Sequence, residues 1–182
     1  MSPTAEEAAR ALREIAVIKA RAAGFQDYRA ESSQLLLWGS SYALGFVLTG
    51  LFPLLILPIW LVIIFAALVL GTVVARRTNP EIPGIAWRYL TLVGTIIIFC
   101  ALLTVVAWPL SREQSATIGP MFVSALYVIR GVQLRPRYLL LGLALALISI
   151  SGFFLFHSIF WWWMAAAFGG TLVVSGLWLR QQ

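Results

Sequence analysis

Residues of this chain able to do nucleophilic or proton chemistry at neutral pH are few, and they stand at the ends of apolar runs. His157, the single histidine, lies in FFLFHSIFWWW, while Ser111, Arg112, Glu113 and Ser115 lie together in SREQS. Serine, histidine and glutamate brought together would supply a nucleophile, a general base and an orienting carboxylate. No nucleophile motif surrounds either serine, and short loops carry such residues simply to meet water. No catalytic residue is therefore assigned, and an enzyme is not the leading expectation. One histidine and one glutamate are too few ligands for a closed zinc centre, so no metal is expected. Cys100, the only cysteine, sits in an apolar run, which excludes an intrachain disulfide and a thiolate metal cluster. No cofactor is expected.

A second group is aromatic. Trp161, Trp162 and Trp163 are consecutive, and consecutive residues of a helix point about 100° apart. At least one ring must face protein or a cavity while another faces lipid. With His157 these three form the candidate ligand site: beside interfacial anchoring, they offer an aromatic cradle for a lipid, quinone or sterol-like molecule.

The remaining candidates are hydroxyls and arginines. Thr49, Thr72, Thr91, Thr95, Thr104, Ser124, Ser149, Ser151, Thr171 and Ser175 lie at membrane depth, each able to return its hydroxyl to a carbonyl one turn back. No charged residue lies near mid-span, so a proton- or sodium-coupled carrier built on one copy is not expected. The basic loops RRTNPEIPGIAWR and RGVQLRPR offer Arg76, Arg77, Arg130, Arg135 and Arg137 as contacts for anionic lipid headgroups, beside their ordinary topogenic role. Neither loop carries an element that reads bases, so nucleic acid is not an expected partner.

All of these groups must be positioned by apolar spans. Pro53 to Ala75 runs 23 residues without a formal charge and meets Arg76 and Arg77 at its end; as a helix it crosses a hydrocarbon core of about 30 Å. With 61% hydrophobic and 11% charged residues, the chain is far from a soluble domain's roughly 25% charged composition. The expected fold is all-α: a polytopic membrane protein with a six-transmembrane-helix bundle over 34–182 and an N-terminal amphipathic cytoplasmic helix and linker over 1–33. Spans are expected at about 34–50, 53–75, 88–110, 115–132, 137–156 and 158–179. The first and fourth are at the short end of what crosses a bilayer. The first 30 residues carry Glu6, Glu7 and Glu14 and no long apolar core, so no cleavable signal peptide is expected. No internal repeat is legible, and an inverted-repeat transporter is not expected.

Charge sets the expected orientation. With the N-terminus in the cytoplasm, twelve of the thirteen basic residues fall inside and only Arg112 outside. Both termini are therefore expected in the cytoplasm, and the expected location is the inner, cytoplasmic membrane. In the N-terminal segment Thr4 and Glu7 resemble a capping box, and Ala8, Leu12, Ile15, Ala22 and Phe25 recur at helical spacing. Its charges balance, which suits a protein partner or a second copy better than anionic lipid. Small residues four apart, Gly39 with Ala43, Ser41 with Gly45, and Ala166 with Gly170, allow helices to approach closely and mark packing or oligomer contacts.

The pattern ALREI…ARAAGF…YRAESSQLLLWGSSYALG, a charged helix entering an apolar span through Leu-Trp-Gly, resembles a group of uncharacterised bacterial six-span inner-membrane proteins over residues 11–45. The resemblance implies a small membrane protein, some relatives of which accompany transcriptional regulators, and carries over no catalytic residue. The leading expectation is a non-enzymatic protein-interaction or regulatory module acting through its cytoplasmic N-terminal helix, embedded in the lipid bilayer and engaging a cytoplasmic partner or its own homo-oligomer. The alternatives are a small oligomeric transporter or channel, or a membrane protein that binds a lipid or hydrophobic ligand.

Overall fold

The computed structural model of the chain describes residues 10, 12, 14, 15, 28–78, 80, 82–133 and 136–180. Among them there is no strand, and six helices are long and apolar enough to cross a membrane. We label them α1 (Tyr28–Leu51), α2 (Ile56–Thr78), α3 (Ile85–Val106), α4 (Arg112–Gln133), α5 (Pro136–Phe154) and α6 (His157–Arg180). Of the N-terminal helix expected before residue 24, only Arg10, Leu12, Glu14 and Ile15 are described, all helical and exposed. The rest of that expectation, and Arg135, lie outside the described residues.

Both spans that looked short are longer in the structure. The part of α1 able to span, Glu31–Leu51, has 21 residues, and α4 has 22. At the start of α4 the cause is a capping box in SREQ: the Ser111 amide donates to Gln114 Oε1 at 2.7 Å, and the Gln114 amide donates to Ser111 Oγ at 3.1 Å. This starts the helix three residues before the apolar run. At α1 the polar turn Glu31–Gln34 continues the helix outward because its side chains find partners on neighbouring helices instead of water. Ser32 is buried and donates to the Gly176 carbonyl of α6 at 2.7 Å.

Neighbouring helices run antiparallel. The last span packs along the first: Gly39 abuts Leu172 and Val173, Ala43 abuts Gly169, and Leu36 abuts Gly176. Each step up α1 is thus a step down α6. On its other side α1 meets α2 at Gly45 and Trp60 and at Gln34 and Gly71. The tightest hairpin is α4 with α5, where Gly131 faces the Leu139 backbone and Gly142 faces Ser124 and Val128. Helix α5 returns to α6 at Gly152 and Trp163. Alternation gathers Arg76, Arg77, Arg88, Arg130, Arg137 and Arg180 at one end, with Arg112 at the other.

The core lies between α1, α5 and α6, where Phe46, Phe160, Phe168, Leu35, Leu145, Met164 and Leu172 are essentially inaccessible. Along α6 the buried stripe Phe160, Met164, Phe168, Leu172, Gly176 recurs every four residues. A straight 3.6-residue helix would turn such a stripe by about 40° at each step. The stretch Met164–Gly169 is π-helical; its wider turn takes up part of that drift and keeps the stripe on the core.

Candidate functional site

Four residues of α1, Glu31, Gln34, Trp38 and Tyr42, are spaced three, four and four apart and so share one helical face. That face points at α2, α3 and α4. Glu31 forms an ion pair with Arg130 of α4, whose guanidinium carbon lies 5.9 Å from the Tyr138 ring centroid. One turn deeper, Gln34 Nε2 donates to the Gly71 carbonyl at 2.9 Å; its Oε1 is buried with no partner among the described residues. Another turn down, Trp38 Nε1 donates to the Tyr89 hydroxyl at 3.0 Å. Glycine at 71 leaves the room that the Tyr89 side chain fills.

Tyr42 ends the stripe near the middle of the bundle, roughly 16 Å below Glu31 at 1.5 Å per residue. Four aromatic rings surround it: Phe168 at 5.2 Å, Trp60 at 5.8 Å, Phe46 at 6.0 Å and Trp38 at 6.3 Å between centroids. Its hydroxyl lies 3.6 Å from where a Cβ on Gly119 would sit. Helices α2, α4 and α6 therefore border this side chain. Even so, Tyr42 is only half-buried, and its hydroxyl has no hydrogen-bond partner among the described residues. The same holds for Tyr127, whose ring is 6.1 Å from that of Tyr138. The Glu31–Arg130 pair stands three turns above Tyr42 at the charged end.

The residues singled out from sequence are placed elsewhere. His157 is exposed, its ring 6.2 Å from that of Phe153, with no hydrogen bond or ion pair to Glu113 among the described residues. Of the three tryptophans, Trp161 lies against Phe46, Trp162 is 48% exposed, and Trp163 stacks on Phe156 at 4.0 Å and donates to the Ile148 carbonyl at 3.0 Å. The rings point three ways and do not share a cradle. Gly39, Ala43 and Gly45 meet α6 and α2 within the same chain, whereas Ala166 is exposed and nothing lies near Gly170. The close contacts of α6 are made one position over, by Ala165 and Gly169. Arg76 and Arg77 are exposed at the end of α2, and Arg137 lies 5.2 Å from the Trp178 ring centroid.

The stripe on α1 is not evident from the sequence because Glu31 falls in the expected linker and Gln34 at the edge of the expected span. The three-and-four spacing of polar and aromatic residues was legible. Recognising it needed α1 to begin at Tyr28. Among the described residues no group of three or more His, Cys, Asp or Glu side chains could hold a metal. No protein-family model, no curated protein and no solved structure matches this chain.

Proposed function

We propose that this is a non-enzymatic protein of the cytoplasmic membrane whose bundle holds a small, neutral, mainly apolar ligand in the space beside Tyr42. The observation carrying this reading is Tyr42 itself: bordered by three other helices at mid-span, it keeps accessible surface and a hydroxyl without a hydrogen-bond partner among the described residues. A polar group left unpaired inside a bundle is unfavourable, by about 1–3 kcal/mol, so water or a ligand is expected to complete it. Two phenolic O–H donors among aromatic walls suit a flat molecule bearing a carbonyl-type acceptor, quinone-like in chemistry.

In this reading the Arg-bearing end faces the cytoplasm, following the bias of basic residues. The N-terminal segment enters the bundle there, at a point where Glu31 ties α1 to α4 and Ser32 ties it to α6. It is the surface offered to a protein partner. Deleting residues 2–27, which stops short of α1, should abolish partner association while the bundle stays folded; unchanged association removes the partner from the reading.

Native mass spectrometry of protein released from mild detergent tests the ligand. The unaltered chain should retain a small neutral mass that Tyr42→Phe with Tyr127→Phe loses at unchanged helical content. A chain that carries no adduct, or an adduct indifferent to both substitutions, overturns the proposal.

A further inference from the structure

Away from Tyr42, α5 and α6 leave a groove at the Arg-bearing end, with a cavity volume of about 240 Å³. Arg137 and Trp178 stand at its mouth, Thr171 and Ser175 on one wall, and Leu140, Leu141 and Ala144 on the other. We propose that this groove binds one anionic phospholipid, its phosphate at Arg137 and the start of one acyl chain over the leucines.

Three observations carry the assignment. The first is charge and its placement. The Arg137 guanidinium lies 5.2 Å from the Trp178 ring centroid, an arrangement that holds a cation at headgroup depth beside an interfacial aromatic.

The second is an exception among the hydroxyls. Thr49, Thr72, Thr95, Thr104, Ser124, Ser149 and Ser151 all return their hydroxyls to carbonyls three or four residues back. Thr91, Thr171 and Ser175 make no such bond among the described residues, and of these three Thr171 and Ser175 line the groove. Four residues apart on one helix, they are placed to donate to phosphate or ester oxygens below Arg137.

The third is depth. The walls run from Arg137 to Ala144 and, antiparallel, from Trp178 to Thr171, each about 10 Å along its helix. This reaches from the headgroups well into a single leaflet and no further. With the Arg-bearing end cytoplasmic, that leaflet is the one that carries anionic lipid.

The full chain in nanodiscs of equal phosphatidylglycerol and phosphatidylethanolamine, released in the mass spectrometer, tests this. One phosphatidylglycerol should stay bound in preference to phosphatidylethanolamine. Arg137→Gln should lower that retention about fivefold, equivalent to about 1 kcal/mol, and Thr171→Val with Ser175→Ala should lower it further. Leu140→Trp, which fills the groove without altering a charge, should evict the lipid, while Arg76→Gln with Arg77→Gln should leave it bound. Equal retention of the two lipids, indifference to Arg137→Gln or Leu140→Trp, or an equal loss on removing Arg76 and Arg77 overturns the site; the last outcome assigns retention to the basic end in general.

Discussion

Helices α1 and α6 differ from α2 and α3 in a way that inverts the intuition drawn from soluble proteins. The more apolar pair is the less buried. Over their best windows α2 and α3 have mean hydropathies of 2.9 and 2.5, against 1.2 and 1.4 for α1 and α6, yet 39% of the α6 window is buried and only 6% of the α3 window. Lipid is as apolar as leucine, so an apolar surface gains little by leaving it for protein. What gathers helices here is close backbone approach and polar pairing: Gly39 on Val173, Gly169 on Ala43, and Ser32 on the Gly176 carbonyl. In the α2–α3 wing Gly71 lies close against Tyr89, and Phe65, Leu92, Ile98 and Val105 face outward.

Substituting glycines tests this contrast most severely. Gly142→Ala places a Cβ 2.6 Å from the Val128 backbone nitrogen, and Gly39→Ala places one 2.8 Å from that of Val173. Backbone cannot yield as a side-chain tip does, so each should lower stability by about 2–3 kcal/mol, read as a drop in the thermal midpoint in detergent. Gly94→Ala on α3, where nothing lies within 4 Å, should instead be neutral or raise stability by up to about 1 kcal/mol through helix propensity. Equal losses at the three positions would mean that the contrast between core and wing is not real.

Glu31→Gln should have an intermediate effect. The pair with Arg130 is partly exposed, with side-chain exposures of 17% for Glu31 and 40% for Arg130, so its removal should cost about 1 kcal/mol and not the several of a sealed pair. A double-mutant cycle with Arg130→Gln isolates the coupling. The smallest effect separates polar bonds between helices from those within one. Ser32→Ala removes a bond between α1 and α6 and should cost about 0.6 kcal/mol. Ser149→Ala removes a bond to its own helix at Leu145 and should cost less. The reverse order would show that interhelical hydroxyls do not hold this bundle.

Much of the fold was legible because hydropathy and charge are read one residue at a time. Six apolar runs, short connections and an arginine bias are properties of single segments meeting lipid or water, and they led to six spans and one Arg-bearing end. Boundaries were less legible where a polar turn stays helical. The Ser111 and Gln114 box was readable in SREQ, but the extension of α1 through Glu31 depended on partners 99 and 144 residues away, at Arg130 and Gly176.

The candidate site was legible only as residue types. Trp161 to Trp163 drew notice as a cluster, but consecutive positions diverge on a helix, and packing sent one ring to Phe46 and another to Phe156. Tyr42 drew none, since nothing in its own surroundings in the sequence distinguishes it. By itself the sequence determined how many helices cross, how they alternate and which end carries the arginines, because those follow from transferring each segment between water and lipid. Only the tertiary structure decided that the last span lies along the first and that α2, α4 and α6 border Tyr42 without sealing it. Both outcomes rest on the fit of pairs of surfaces, and hydropathy, the same for any apolar neighbour, does not distinguish one pair from another.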